Sequence, residues 1–364
     1  MAITRIGNPA LANVREPNFR NIIINGDMSQ AQRATSVTGI GNGNAGYHTC
    51  DRWKLHEGGA TAAEFTQSQS TDVPTGQGFA KSFKMDCTTA DTSLAADEIM
   101  NIYQRFEGQN LQYLKKGTSN AESLTLSFWV KATKTGTYVT NLYDNDNNRA
   151  IGKTYTISSS DTWEKKTITF AADTSGVLGN DNASSLEVYF QLFAGSNQNT
   201  GSLQTSWGTY VAAQWASGQV NVADSTSNNW LITGVQLEVG TTASDFQFLP
   251  HDINKKRCER YYQNSFDVGN IPGTSTDNDD AELTTSWTDG NAPFPNPYRT
   301  EMRAPPSVIL RPRGSTTTGQ VNNGATNRST SADQISNKGI GYLNVSSGTG
   351  GQFNAFTYEL NSEL

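Results

Sequence analysis

Trp129, Tyr189 and Phe193 share a feature: each falls on the polar side of a segment whose other side is apolar. In "ESLTLSFWVKA", Leu124, Leu126, Phe128 and Val130 alternate with Thr125, Ser127, Trp129 and Lys131, the pattern of a strand with one buried face. In "SSLEVYFQLFAG", Leu186, Val188, Phe190 and Leu192 take one face, and Glu187, Tyr189, Gln191 and Phe193 take the other. An outward aromatic ring offers a flat apolar plate to the C–H face of a pyranose, while a neighbouring amide hydrogen-bonds the hydroxyls. Trp129, Tyr189, Gln191 and Phe193 are therefore the expected carbohydrate-binding patch, with Gln104 of "IYQRFEG" as a candidate addition. The same pattern equally suits a face covered by a loop or by another subunit.

Other chemistries find poorer support. The three histidines, His48, His56 and His251, stand in no G-x-S-x-G context and read as polar surface groups. Clustered His or Cys for zinc is missing, and so is a phosphate-binding G-x-x-x-x-G-K-[ST] loop. "DNDNNRAIGKTY" starts like a calcium loop, with Asp144, Asp146 and Asn148 at its first, third and fifth positions. Arg149 then stands where glycine is required and Tyr155 where glutamate is required, so a solvated hairpin turn is the better reading. Carboxylates such as Asp97, Glu98 and Glu107 could serve a glycosidase only if the fold set two of them across a sugar. The expectation is a protein that is not an enzyme.

The elements that must position the patch are short strands. "WEKKTITF" ends in another alternating run, and "NWLITGVQLEVG" changes parity at Gly234, which predicts a bulge. Turn clusters at 144–148 and 179–184 separate the strands. Hydrophobic residues make up 35% of the chain and charged residues 17%, with Gly, Ser, Thr, Asn and Gln filling the balance, which disfavours long helices. The predicted fold class is all-β. An arm at 1–18 precedes an N-terminal jelly-roll β-sandwich at 19–249. A short connector helix at 250–265 follows, with a possible N-cap at Asp252 and Ile253, Arg257 and Tyr261 at helical spacing. A smaller C-terminal β-sandwich spans 266–364. The net charge of −7 argues against nucleic acid as a partner. No apolar run reaches the length of a membrane span, and the first residues lack the apolar core of a secretory signal. Cys50, Cys87 and Cys258 are odd in number and widely spaced, and read as buried thiols.

The opening run "NIIINGDMSQAQR" at 21–33 puts three isoleucines before an abrupt polar turn, a short buried strand with a sharp end. With "CDRWKL" after it, this run resembles the first strands of the jelly-roll carbohydrate-binding modules appended to xylanases. "IYQRFEGQNLQYLKKG", "LTLSFWVKATKTGTY" and "WLITGVQLEVG" resemble that family's later strands, in order. The wording is closer still to virion proteins of tailed bacteriophages, the tail fibres and appendages. Their shared runs correspond here to 21–33, 51–53, 234–240 with 246–250, 260–263, 302–306 and 353–360.

That resemblance implies a homotrimeric virion component, assembled in the host cytoplasm with other virion proteins. It would be a fibre-like adhesin that binds a host surface polysaccharide without cleaving it, with no membrane insertion. The rival reading is a capsid or tail cement protein with a purely architectural role. Related modules hold a structural Ca²⁺ near the opening turn and the last strand. The resemblance places the corresponding metal positions at Asp27 and Asp245, where hard oxygen ligands would suit the ion.

Overall fold

The computed structural model describes residues 19–266, 270–272, 281–295 and 297–364; the arm expected at 1–18 lies outside them. Alternating sequence becomes alternating burial. Thirteen strands of the described residues form the first part of the molecule: β1 (Ser36–Gly41), β2 (Gly46–Tyr47), β3 (Lys54–Gly58), β4 (Glu64–Ser70), β5 (Ser82–Thr89), β6 (Ile99–Glu107), β7 (Leu124–Ala132), β8 (Gly136–Asp144), β9 (Arg149–Ile157), β10 (Glu164–Phe170), β11 (Ser184–Ala194), β12 (Gly208–Thr209) and β13 (Asn229–Val239). They pair into a six-stranded sheet, β1-β4-β5-β13-β7-β10, and a seven-stranded sheet, β12-β9-β8-β11-β6-β3-β2, antiparallel throughout. The two sheets bury one continuous core, as a jelly-roll sandwich requires.

Aromatic side chains bolt the two layers together. Phe128 of β7 meets Phe190 of β11 edge-on at 5.1 Å, and Trp53 and Trp230 flank Phe190 at 6.1 and 6.0 Å. Fully burying each such ring contributes roughly 1.5–3 kcal/mol. The three cysteines are free and buried. The register of β13 slips between Thr233 and Gln236, the bulge expected at Gly234. Gly234 has φ +62°, and the Phe79 ring lies 2.5 Å from where a Cβ would stand.

The isoleucine run corrects an expectation. Ile22, Ile23 and Ile24 are buried, but no strand forms there. Side-chain amides supplement the few backbone bonds that remain, from Ile22 N–H to the Leu237 carbonyl and from Val235 N–H to the Gly26 carbonyl, each at 2.9 Å. Asn21 Oδ1 accepts from the backbone N–H of Ile23 and Leu237, and its Nδ2 donates to the Val235 carbonyl. Gln104 accepts from Ile24 N–H at 2.8 Å and donates to Ile24 O at 2.9 Å. Gln104 is thus an inward staple, not the outward glycan contact expected of it. Gly26 has no alternative residue: a Cβ would lie 2.1 Å from the Val235 carbonyl oxygen.

Helix α1 is a single turn, Ser196–Asn199, in the long β11–β13 connection. Helix α2, His251–Glu259, starts after Pro250 rather than after Asp252, which sits in the first turn, where its negative charge suits the helix N-terminus. Its buried side is Asn254, Cys258 and Glu259, while Ile253 and Arg257 are half-buried. Beyond it lie β14 (Tyr262–Asn264), β15 (Glu282–Thr285), β16 (Ala292–Pro293), β17 (Ser307–Pro312), β18 (Gln320–Asn323), β19 (Thr326–Asp333), β20 (Tyr342–Val345) and β21 (Phe353–Asn361). β21 pairs with β14, β15, β17 and β18, and β19 links β18 to β20 around a second, smaller core that includes Met302, Leu310, Leu343 and Phe356.

The runs at 51–53 and 260–263 meet where this second part seats on the sandwich. The Arg52 guanidinium, fully buried, lies 3.4 Å from the centre of the Tyr261 ring. It pairs with Glu363, donates to the Arg105 carbonyl at 2.8 Å, and shares Glu363 with Arg33. Arg33 covers the Tyr262 ring at 3.7 Å. Arg260 grips Glu107 through two nitrogens at 2.7 Å each, and the Tyr261 hydroxyl donates to the same carboxylate at 2.5 Å.

Candidate functional site

The four residues expected to form one patch do not share a surface. Trp129 stands on the outer face of the six-stranded sheet, opposite Lys165 and Thr233, because Phe128 and Val130 beside it point into the core. Tyr189 stands on the outer face of the seven-stranded sheet, because Val188 and Phe190 point inward there. The sandwich core separates the two rings. Phe193 is a second correction: it is fully buried in the main core. The register of β11 slips between Gln191 and Phe193, so Phe193 falls opposite Met100 and turns inward. A strict alternation read across that slip gives the wrong face.

What Tyr189 does join is a cleft of about 240 Å³ on the outer face of the seven-stranded sheet. Strands β3, β6, β8 and β11 form its floor, and the 195–228 connection folds over one side of it. Cross-strand pairing sets its lining residues beside one another and beside their ladder neighbours Lys54, Asn141 and Gln191: His56 with Asn101, Lys54 with Tyr103, Tyr189 with Tyr103 and Asn141, and Gln191 with Asn101. The Tyr103 and Tyr189 rings stack in parallel, 4.7 Å apart and 3° from coplanar. Trp215, brought in by the connection, meets Tyr189, Tyr143 and Tyr210 edge-on at 5.2, 6.2 and 5.2 Å. Asn141 holds the connection down through its Nδ2, which donates to the Trp215 carbonyl at 2.9 Å. Tyr189, Tyr143 and Tyr210 keep part of their rings open, whereas Tyr103 and Trp215 are buried beside them.

The polar groups of the floor are incompletely used. Gln191 donates to Asn141 Oδ1 at 2.9 Å, but Gln191 Oε1 accepts no hydrogen bond from a described residue. Asn101 is 1% exposed, and its Oδ1 likewise has no donor. A buried acceptor left unpaired costs about 1–3 kcal/mol. Arg105 pairs with Glu187 at 2.9 Å. Glu187 also accepts from the Tyr189 and Ser184 hydroxyls. Burial pushes the Tyr103 hydroxyl up to about 12, so it stays protonated and able to donate. Burial, then Lys54 and Arg105, hold His56 below the usual imidazole range, so its ring is neutral at pH 7.

Reasoning from sequence missed Tyr103, Tyr143, Tyr210 and Trp215. Tyr103 and Tyr143 carried the same signal as Tyr189, an aromatic out of phase with the core residues of its strand. Trp215 and Tyr210 lie in irregular backbone, where no periodicity marks them.

Asp27, at the opening turn, and Asp245, beyond the last sandwich strand, are the expected metal positions. Asp27 Oδ1 accepts from the Ser29 hydroxyl at 3.0 Å and the Asn254 amide at 3.1 Å. Asp245 is exposed, and its carbonyl is taken by Arg20 at 2.7 Å and Gln236 at 3.3 Å. Arg20 also pairs with Glu238 on the last sandwich strand at 3.3 Å, which supplies positive charge there. Among the described residues, no three His, Cys, Asp or Glu converge as metal ligands.

No family model matches the chain, and no curated protein matches it. Among solved structures, the enzymatically active domain of tailspike protein 4 from bacteriophage CBA120 overlaps 61% of this chain and 22% of its own, at 16% identity and TM-score 0.31. A sugar-binding protein from Bacteroides thetaiotaomicron overlaps 60% of this chain and 100% of its own, at 11% identity and TM-score 0.30. A family 11 carbohydrate-binding module from Clostridium thermocellum, solved with a mixed-linked tetrasaccharide, overlaps 53% of this chain and 91% of its own, at 11% identity and TM-score 0.29. Similarities this distant carry no argument about what this chain binds.

Proposed function

We propose that the protein is a glycan-binding component of a phage virion, a fibre-like adhesin that holds a host surface polysaccharide without cleaving it. The observation that carries the binding half is Asn101: a buried acceptor without a donor, on the floor of an aromatic-walled cleft. A sugar hydroxyl supplies the missing donor, while the open parts of Tyr189, Tyr143 and Tyr210 meet the C–H faces of the ring. Binding without hydrolysis is the chemistry the cleft supports, because its neighbouring carboxylate, Glu187, is 1% exposed and already engaged by Arg105, Tyr189 and Ser184. Two free carboxylates across the sugar would be needed for cleavage. A glycan array probed with wild type and with Asn101→Ala tests this. Binding is expected from wild type and loss from the variant; an equal signal from both removes the cleft from the reading.

The virion placement and the homotrimer rest on the sequence resemblance and on the surface of the second part. Leu283, Ile309, Phe353 and Trp287 are large apolar residues exposed there, on or beside strands paired with or near β21. Apolar groups gathered on one small domain suit contact with another chain. The architectural rival, a capsid or tail cement, draws on the same residues. Labelling the protein on intact particles separates the two: free distal domains support the adhesin, and contacts spread across several capsomers support cement. Light scattering giving a single-chain mass counts against the trimer.

A further inference from the structure

We infer that the glycan held in this cleft is acidic, with a sugar carboxylate seated beside Tyr103 between Lys54 and Arg105. This rests on the glycan-binding reading of the cleft and narrows its ligand class to uronate-containing chains. The two cations come from neighbouring strands. Lys54 on β3 pairs across the ladder with Tyr103 on β6, and Arg105 is two residues further along β6 on the same face. Lys54 Nζ lies 5.8 Å and the Arg105 guanidinium carbon 5.2 Å from the centre of the Tyr103 ring. Both cations therefore border Tyr103: Arg105 lines the cleft with it, and Lys54 stands just outside the lining, its Nζ also 5.4 Å from the Tyr47 ring.

Their charges are not balanced from within. Glu187 is the carboxylate that reaches Arg105, through Nε, and it is shared with two hydroxyls. Neither terminal nitrogen of Arg105 donates to a described residue, and Lys54 Nζ has no ion pair among the described residues. Burial and the neighbouring Arg105 both disfavour charge on Lys54, more than Glu187 favours it. A carboxylate delivered by a ligand relieves that repulsion and gives the Arg105 fork a planar partner. His56, Asn101 and Tyr189 lie on the other side of Tyr103, where the rest of the sugar meets hydroxyl partners and rings. The arrangement assigns the charged end and the apolar end of one ligand to the two ends of one cleft.

Calorimetric titration of the full chain tests this with oligomers of galacturonate, glucuronate and mannuronate, each beside its carboxyl-reduced counterpart of identical linkage. At least one uronate is expected to bind about tenfold more tightly than its reduced form, a preference that shrinks between about 50 and about 500 mM salt. Lys54→Gln is expected to lower the preference to about threefold or less, chiefly by weakening uronate binding. Arg105→Lys, which keeps a cation for Glu187, guards against a folding defect and should weaken uronate binding without changing the melting temperature. Equal affinity for acidic and reduced forms, or an unchanged preference in Lys54→Gln, overturns the inference and leaves glycan binding standing. Failure of every acidic and neutral oligomer to bind overturns both.

Discussion

The junction between the two parts of the molecule and the cleft on the seven-stranded sheet are built from the same residue types, arginine, tyrosine, glutamate and amide. They differ in how completely those groups satisfy each other. At the junction, Glu107 receives four donors, and Arg52 is matched by Glu363, a carbonyl and the Tyr261 ring, with its Nε alone left without an acceptor among the described residues. In the cleft, Asn101 Oδ1 and Gln191 Oε1 lack donors and Lys54 lacks a counter-ion among the described residues. A network in which each buried carboxylate meets a cation holds two bodies together, even with Arg52 Nε and Arg33 Nη1 lacking hydrogen bonds. An open one carries a free-energy cost that only something from outside can offset. Two of the runs that carry the sequence resemblance, 51–53 and 260–263, lie at the junction, whereas the run that begins at Ile102 carries Tyr103 and Arg105 of the cleft.

The sharpest way to break this contrast is to open the junction. Arg52→Met removes the cation from a fully buried site and leaves Glu363 dependent on Arg33. The expected loss is about 3–5 kcal/mol, the cost of breaking a buried pair from one side. Urea unfolding followed by tryptophan fluorescence measures it. A change under about 1 kcal/mol would mean that the network adds little beyond apolar packing.

Acid probes the same network more gently. Burial alone would raise the Glu107 carboxyl, but hydrogen bonds from Arg260 and Tyr261 outweigh it and hold the group below its usual 4.5. A carboxyl with a depressed folded-state pKa binds fewer protons folded than unfolded. Its contribution is therefore fully present above 4.5 and is lost as pH falls through the folded value. Melting temperatures of wild type should drop below that pH more steeply than those of Glu107→Gln. Parallel curves would move the acid sensitivity elsewhere.

The sandwich was legible in the sequence because its signal is repeated. Leu124 to Val130 and Leu186 to Phe190 alternate, and each alternation survives as core. The cleft was less legible for three physical reasons. A single slipped residue in β11 turned Phe193 inward. Trp129 and Tyr189 show identical local patterns, and only sheet pairing puts them on opposite sides of the sandwich. Trp215 reaches the site on irregular backbone held by Asn141, a contact 74 residues apart in sequence. The opening isoleucines failed differently: their composition indicates a strand, but the amides of Asn21 and Gln104 took the backbone bonds that a neighbouring strand would have supplied.

Tyr189→Ala sharpens the contrast from the side of the cleft. The variant loses a stacked partner at 4.7 Å and an edge contact with Trp215 at 5.2 Å, and should cost about 1 kcal/mol in stability. Its effect on glycan affinity should be far larger than that, with loss of detectable signal on the array. The reverse ranking, a large fall in stability with affinity intact, would make Tyr189 part of the scaffold.

The smallest effect is expected from Trp129→Ala, and it is the most informative control. Trp129 is half-buried on the outer face of the other sheet, beside Lys165 and Thr233. Truncating it removes cross-strand side-chain contacts worth about 0.2–1 kcal/mol. The core lies between this ring and the cleft, so glycan affinity should stay within about twofold of wild type, a change of about 0.4 kcal/mol. The tyrosine and tryptophan variants then divide the sandwich by face: the first loses glycan binding and the second keeps it. Loss of glycan binding in Trp129→Ala at unchanged melting temperature would instead place the recognition surface on the six-stranded sheet and leave the cleft without its ligand.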